Sequence, residues 1–310
     1  MRSNATLLRL LAWIKAGSLA LAAALLLIGP GHSFALDDPT GPAGSAFALA
    51  TRFSALKGEL GNNQFQRPLH LNSSEGKDVL AGEIHAIVNH PFAATSAALT
   101  LPAQWCDVLI LHLNTKFCKP SPEGNSTQLQ VSIGKKFDQP LDKAYRVDFA
   151  YRLVARNDNY LQVRLNADEG PLSTRNYRII LEAAPAPNNQ TYIRLSYSYS
   201  YGTMAQIAMK AYLATVGRNK VGFTMVPTSD GKPEAIGGVR GVVERNTMRY
   251  YLAIEAYLGA LSTPPATRAE KSFRDWFNAT ENYPRQLHEM EQAEYLDMKR
   301  KEYQRQQAQS

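Results

Sequence analysis

The sequence predicts an α+β fold in which a curved antiparallel sheet grips a long helix, with an added helical region at the C-terminal end. Three observations lead to this prediction: the order of elements after residue 76, the period-two alternation in consecutive strand-like runs, and the many tyrosines within those runs. A sheet that curls around a helix tends to enclose an apolar cavity. The order of the elements therefore suggests a protein that contains a ligand.

The first 35 residues predict a signal peptide. A basic start is followed by an apolar run, and small residues then stand where a signal peptidase cuts: Arg2, Arg9 and Lys15, then 16–28, then Ser33-Phe34-Ala35. The mature chain is expected to begin at Leu36, with a linker over 36–44, and to be periplasmic or secreted. A retained inner-membrane anchor over 7–28 is the alternative, although two basic residues interrupt that segment.

Five elements are predicted before the central strands. A helix is predicted over 45–60, because apolar residues recur there at helical spacing and Ser45 can cap it. Strands follow over 66–72 and 78–89, and His90-Pro91 ends the second of them. Two short helices in direct succession are predicted next, over 92–99 and 103–113. Such a helix pair is unusual after a strand in a plain β-sandwich.

The central strands carry the strongest structural signal. After a first strand over 128–133, apolar and polar residues alternate in four runs, 145–155, 160–167, 176–183 and 191–201. Turn residues separate these runs. Alternation of this kind indicates an antiparallel sheet with one buried face.

The remaining elements are predicted to be helical. Thr203 can cap a helix over 203–216, with Gly217 as its stop, and this is the helix that the sheet is expected to grip. Later helical runs begin near Gly241, Arg268 and Pro284. The predicted division is therefore a domain over 45–236 and a helical C-terminal extension over 237–310.

A strand, two helices, a run of antiparallel strands and a long helix form the element order of the helix-grip fold. From about Asp78 to Val216 the chain resembles the START-like superfamily, which includes lipid-transfer domains and polyketide cyclases. The resemblance implies an elongated cavity between sheet and helix that holds a lipid or another apolar molecule. It transfers no catalytic residue, because the superfamily has no universal ones. The chain departs from the pattern in continuing for about 90 residues after the expected closing helix.

Cys106 and Cys118 are the two cysteines, and they are predicted to form a disulfide, because an exported protein meets conditions in which disulfides persist. One continuous helix would hold them about 18 Å apart at a rise of ~1.5 Å per residue. A disulfide needs Cα atoms within roughly 7 Å. If the cysteines pair, the helix must end near Asn114 and the chain must fold back. Two unpaired buried thiols are the alternative.

The predicted ligand-binding residues lie on the inward strand faces and on one later helix. The strand residues are Phe149, Tyr151, Leu165, Ile179, Tyr197 and Tyr199. Arg245 and Arg249 share a stripe one helical turn apart, which could hold an anionic head group. Ordinary packing of aromatic strand residues is the alternative for the first set. Structural ion pairs with Glu244, Glu255 or C-terminal carboxylates are the alternative for the arginines.

Other chemistry finds little support in the sequence. No nucleophile elbow, phosphate-binding loop or dinucleotide fingerprint occurs, and no catalytic residue or cofactor is predicted. The five histidines of the mature chain lack metal-binding spacing, so no metal is predicted: His70, His85, His90, His112 and His288. Asp107, beside Trp105-Cys106, is interpreted as an acid on the helix surface rather than in a cavity.

Charge also narrows the range of partners. The chain has 34 Lys and Arg against 27 Asp and Glu. Without the three basic residues of the leader the ratio is 31 to 27, a mild excess with no concentrated basic stripe, so nucleic acid is not an expected partner. The predicted function is non-catalytic binding of a lipid or other apolar small molecule. The alternative is an envelope structural or partner-binding protein that acts through its C-terminal helices, and an enzyme of the cyclase type ranks third.

Overall fold

An eight-stranded antiparallel sheet organises the fold, in the order β1-β2-β8-β7-β6-β5-β4-β3. A computed structural model describes residues 45–124, 126–215, 217–228 and 231–309. The predicted signal peptide, the alternative anchor over 7–28 and the linker lie outside these residues. The strands are β1 Leu69–Glu75, β2 Val79–Val88, β3 Thr115–Glu123, β4 Ser126–Ile133, β5 Tyr145–Asn157, β6 Tyr160–Glu169, β7 Thr174–Ala186 and β8 Gln190–Tyr201.

The alternation in sequence becomes one buried face of this sheet. Leu181 on β7 pairs with Leu195 on β8, and Ile179 pairs with Tyr197, so neighbouring strands place apolar side chains side by side. Burying each such side chain contributes about 1.5–3 kcal/mol. Register shifts interrupt the pairing of β5 with β6 and of β7 with β8, and bulges of this kind bend strands. The predicted curved antiparallel sheet is confirmed.

Helix α6, Gly238–Ala260, packs along the concave face of the sheet. Its contacts with the sheet are with β1, β2 and β8, and it also packs against the short helix α4, Pro102–Leu109, and against the later helix over Pro265–Glu281. The approach is close because β2 carries Gly82, where an added Cβ would lie 2.2 Å from Oγ1 of Thr247. A side chain at position 82 would push the helix away from the sheet. The gripped helix is therefore α6.

The prediction that the helix over 203–216 is the gripped one was wrong. That segment forms α5, Thr203–Ala214, whose main contacts are with β8 and with the short turn Pro171–Ser173. The domain boundary predicted at residue 236 therefore lies between the sheet and α6, the helix that the sheet encloses. From residue 45 onward the described chain forms one compact unit.

The other helices cover the remaining surfaces. Helices α1 and α2 pack on the opposite face of the sheet, where Leu49 and Leu60 join a second apolar cluster with Tyr160 and Tyr192. Helix α7 packs against α6, and α9 packs against α7 and β3. The remaining bounds are α1 Ala46–Ala55, α2 Lys57–Gly61, α3 Phe92–Ala98, α4 Pro102–Leu109, α7 Pro265–Glu281, α8 Pro284–Leu287 and α9 Gln292–Ala308, with a two-stranded sheet of β9 Met225–Pro227 and β10 Pro233–Ala235.

A disulfide joins Cys106 to Cys118, with Cα atoms 5.2 Å apart. The predicted condition for pairing is met, since α4 ends at Leu109 and the chain turns back into β3. Strand β3 itself was not predicted from the sequence. The predicted second helix, over 103–113, is correspondingly shorter.

Candidate functional site

A cavity of about 370 Å³ lies between the sheet and α6. The sheet contributes one wall and α6 the other, and the remaining residues come from the turn before β7, from α5 and from the ends of β3 and β4. The sheet wall consists of Phe149, Tyr177, Tyr197 and Tyr199. The helix wall consists of Val242, Arg245, Asn246, Arg249 and Tyr250. The other lining residues are His112, Asn114, Ile133, Lys136, Pro171, Leu172, Thr174 and Met209.

The sheet wall is a cluster of aromatic rings in mutual contact. Tyr177 stacks on Tyr199 with ring centroids 5.2 Å apart and meets Phe149 edge-on at 6.3 Å. Tyr197 contacts Tyr250 of the helix at 5.3 Å. Such contacts hold the rings in fixed positions and leave their faces and edges for a ligand.

The phenol groups of both cavity walls stay protonated at neutral pH. Burial raises the pKa of Tyr197 well above its ordinary value, and it also raises the pKa of Tyr199 and Tyr250. The Tyr177 hydroxyl lies 2.7 Å from Oγ1 of Thr174. The other three hydroxyls have no hydrogen-bond partner within the described parts of the chain. They can therefore donate to, or accept from, a polar group of a ligand.

The helix wall follows from helical spacing. Residues 242, 245, 246, 249 and 250 fall at i, i+3, i+4, i+7 and i+8, so they share one face of α6. Two of the five are arginines, and Lys136 adds a third cation to the lining. Among the residues described, no carboxylate lines the cavity.

Arg249 is held by a carboxylate from outside the lining. Its Nη2 lies 2.7 Å from Oε1 of Glu289, and Lys136 Nζ lies 2.6 Å from the same oxygen. Burial opposes ionisation of Glu289, but Arg249 and Lys136 outweigh it and lower the pKa of that carboxyl. The carboxylate is therefore charged and shared between cations, and Lys220 Nζ approaches its other oxygen at 3.8 Å. Arg249 therefore forms an ion pair with a carboxylate of the C-terminal region, which was the alternative to ligand binding considered from the sequence.

Arg245 is in a different situation. Only 2% of its surface is exposed, and its Nη1 donates to the carbonyl oxygen of Val221 at 3.1 Å. Neither Glu244 nor any other carboxylate in the described chain pairs with it. Glu244 instead accepts from two hydroxyls and two backbone N–H groups. Arg245 thus brings an unneutralised positive charge to the cavity.

His112 supplies a neutral donor. The backbone N–H of Asn114 donates to its Nδ1 at 3.1 Å, so the ring proton lies on Nε2. Burial lowers the pKa of His112 well below its ordinary value, and the charges of Arg249 and Lys299 lower it further, so the ring is uncharged at neutral pH. The ring stacks on Tyr250 at 4.8 Å, and within the described chain its Nε2–H has no acceptor.

The cavity reaches the surface at the turn before β7. Leu172 lines it and is 68% exposed. Leu172 and Ser173 both have positive φ, at 57° and 62°, a conformation that costs an L-residue about 1–2 kcal/mol. Met209 of α5 borders the same region.

The structure brings five of the eight predicted ligand-binding residues to the cavity: Phe149, Tyr197, Tyr199, Arg245 and Arg249. The other three do not line it. Leu165 and Ile179 are packed within the core, and the Tyr151 hydroxyl donates to the carbonyl oxygen of Thr100. For these three, ordinary packing is the observed role.

Sequence reasoning missed several lining residues. His112, Lys136 and Tyr250 were not proposed as ligand contacts, because each lies outside the central strand series. A signal for Tyr250 existed, since it lies one residue after Arg249 and five after Arg245 on the same helix. Asp107 lies outside the cavity lining, and burial raises its pKa to about 6.

Within the described ranges, no group of three His, Cys, Asp or Glu residues is placed to hold a metal ion. Nor do those ranges contain a helix with the length and apolar character needed to cross a membrane.

No protein-family model and no curated protein sequence matches the chain. Solved structures resemble it at low identity. A conserved protein from Geobacillus kaustophilus is 11% identical, with 58% of this chain and 95% of that chain covered and a TM-score of 0.35. Human StAR-related lipid transfer protein 5 is 12% identical, with 55% and 91% covered and a TM-score of 0.30. Norcoclaurine synthase from Thalictrum flavum is 16% identical, with 46% and 85% covered and a TM-score of 0.31.

The helix-grip architecture of this chain rests on its own strand order and on the packing of α6 against the sheet.

Proposed function

We propose that the protein binds a small molecule with an apolar body in the cavity between the sheet and α6. The observation that carries this proposal is the cavity itself, which has a wall of contacting aromatic rings and an opening beside Leu172. A closely packed protein interior contains few voids larger than a water molecule. A space of this size within a curved sheet therefore favours a ligand.

The volume limits the size of that ligand. The cavity measures about 370 Å³. Pockets for small molecules commonly measure about 300–1,000 Å³, and this one lies at the lower end of that range. A single ring with a short chain fits such a space. A lipid with two long acyl chains would need more room.

Partner binding through the C-terminal helices has less support. That function requires an apolar patch exposed on α6, α7 or α9. The described large apolar side chains of these helices are buried or half-buried, among them Trp276 and Tyr295. They pack against the sheet and against one another.

Substitution of Val242 by tryptophan tests the cavity as the binding site. Val242 lies on the helix wall, so the larger side chain should occupy the space and weaken binding of a neutral probe, 4-phenylbutanamide, about tenfold or more. Isothermal titration calorimetry measures the dissociation constants. In the wild type we expect one binding site per chain.

Leu153→Trp is the matched control for this substitution, since Leu153 is exposed and lies outside the cavity lining. Its dissociation constant should equal that of the wild type. Unchanged affinity in a folded Val242→Trp variant would place binding elsewhere. A wild type that binds neither this probe nor a carboxylate analogue of it would contradict the proposed function.

We also propose that the protein acts outside the cytoplasm after removal of residues 1–35. The leader-like sequence and the disulfide support this, because disulfides persist in oxidising compartments. Fractionation of the native host, followed by N-terminal sequencing, tests it. A soluble mature form starting at Leu36 is expected; a membrane-bound form that retains Met1 would contradict it.

A further inference from the structure

We propose that the ligand is a monocarboxylate: a small apolar body with one carboxylate that pairs with Arg245. This inference rests on the proposed function, since it names the chemical class that the same cavity takes. Its basis is the balance of charge and of unused hydrogen-bond donors around the cavity.

The first step is the charge of the lining. Three cationic residues line the cavity, Lys136, Arg245 and Arg249, and within the described chain no acidic residue does. One carboxylate, that of Glu289, lies outside the lining and forms ion pairs with Lys136 and Arg249. Arg245 remains without a carboxylate.

The second step is the burial of Arg245. A charged group removed from water is strongly destabilising unless another charge pairs with it. The carbonyl oxygen of Val221 accepts one hydrogen bond from the Arg245 side chain and supplies no opposite charge. A negatively charged group on the ligand would supply the opposite charge that Arg245 lacks. The guanidinium fork matches a carboxylate in shape and can donate two parallel hydrogen bonds to it.

The third step is the Nε2–H of His112. It is buried and has no acceptor in the described chain, although His112 is one of the residues that line the cavity; Nδ1 of the same ring accepts from the Asn114 N–H. A buried donor without an acceptor is destabilising, so an acceptor is expected beside it when the site is filled. A polar oxygen of the ligand supplies that acceptor.

Only one lining cation, Arg245, has no carboxylate in direct contact, and the two oxygens of a monocarboxylate match its guanidinium fork. The summed charge of the lining does not separate a carboxylate from a phosphate ester: Lys136, Arg245 and Arg249 carry three positive charges against the single negative charge of Glu289, and a phosphate monoester carries about 1.5 to 2 negative charges at pH 7. A phosphate probe beside the carboxylate probe therefore decides between the two classes.

A pair of probes that differ in one group tests the inference. 4-Phenylbutanoate and 4-phenylbutanamide have the same size, and only the first is charged. Calorimetry on the full mature chain should give the acid an affinity about tenfold or more above that of the amide. Phenyl phosphate, added as a third probe, should bind more weakly than the acid.

Two variants separate the roles of the two side chains. In Arg245→Met the acid should lose its advantage, so that acid and amide bind within about twofold of each other. In His112→Phe, where the ring still fills the space beside Tyr250, both probes should weaken together because the lost donor serves either oxygen. Arg156→Met is the control, since Arg156 is exposed and lies outside the lining.

The outcomes are distinct. Equal affinity for acid and amide in the wild type would contradict the carboxylate ligand while leaving small-molecule binding intact. A preference for the acid that persists in folded Arg245→Met would contradict the pairing of the carboxylate with Arg245. Tighter binding of phenyl phosphate would replace the carboxylate with a phosphate. If no probe binds, small-molecule binding fails and this inference fails with it.

Discussion

Glu302→Gln is expected to destabilise the folded protein by about 3–5 kcal/mol. Glu302 on α9 is 1% exposed and forms ion pairs with two buried lysines. Lys116 Nζ lies 2.9 Å from its Oε1, and Lys299 Nζ lies 2.7 Å from its Oε2. The substitution keeps the shape of the side chain but removes the one negative charge between two positive ones. Urea denaturation followed by circular dichroism measures the loss.

The lysines have further contacts that limit how they can respond. Lys299 also donates to the carbonyl oxygens of His112 and Thr115, and Lys116 donates to that of Leu113. Burial lowers the pKa of Lys299 to about 8 even with Glu302 present to raise it. Without Glu302 that pKa should fall further, and loss of a proton would relieve part of the cost.

Glu294→Gln is the matched control, because Glu294 lies exposed on the same helix. Its effect on stability should be within about 0.5 kcal/mol. Replacing all three charges together, as Lys116→Met, Lys299→Met and Glu302→Leu, should recover much of the loss, since no isolated charge then remains buried. A loss below about 1 kcal/mol in Glu302→Gln would show that the cluster is solvated.

Glu244→Leu is expected to cost at least about 3 kcal/mol, because it strips the acceptor from several buried donors at once. Glu244 on α6 is fully buried. Its Oε2 accepts from the backbone N–H groups of Phe223 and Thr224, at 2.5 and 2.9 Å, and its Oε1 accepts from the hydroxyls of Thr224 and Ser73, both at 2.6 Å. One side chain thereby ties α6 to β1 and to the segment before β9. Thermal and urea unfolding measure the effect.

Glu244→Gln distinguishes loss of acceptors from loss of shape. The amide oxygen still accepts, whereas the amide nitrogen would face donors, so an intermediate loss is expected. Glu234→Leu, at an exposed position, should leave stability nearly unchanged. Equal stability of Glu244→Leu and the wild type would mean that other groups or water satisfy these donors. Because Arg245 is the next residue, a folded Glu244→Leu variant should also bind the ligand more weakly.

The sheet could be predicted from the sequence, and its helix could not, for a physical reason. Strands β5 to β8 alternate cleanly because one face is buried by apolar side chains alone. Helix α6 is enclosed on several sides, yet it includes buried Glu244, Arg245, Thr247 and Arg249. Those polar groups find partners only in the folded structure, so the helix has no apolar stripe in sequence. The element order of the helix-grip fold instead points to the segment over 203–216, which directly follows the last strand.

The candidate site was predictable to a similar extent. Alternation identified Phe149, Tyr197 and Tyr199, which line the cavity, but it could not tell how far the cavity extends along each strand. Leu165 and Ile179 have the same inward direction and lie where the core is solidly packed. The contribution of His112 depends on a chain reversal after α4, which the cysteine spacing indicated only as a condition for a disulfide.

The contacts between α9 and β3 also bear on self-association. Strand β3 ends the sheet, and an outermost strand with unpaired backbone groups invites pairing with another chain. Here Gln306 of α9 accepts from the N–H of Cys118, Lys299 donates to the carbonyl oxygen of Thr115, and Pro120 and Pro122 have no N–H to offer. Side chains of α9 thus take the place that a ninth strand would occupy next to β3. The addition of further strands at this edge of the sheet, as in amyloid growth, is thereby disfavoured.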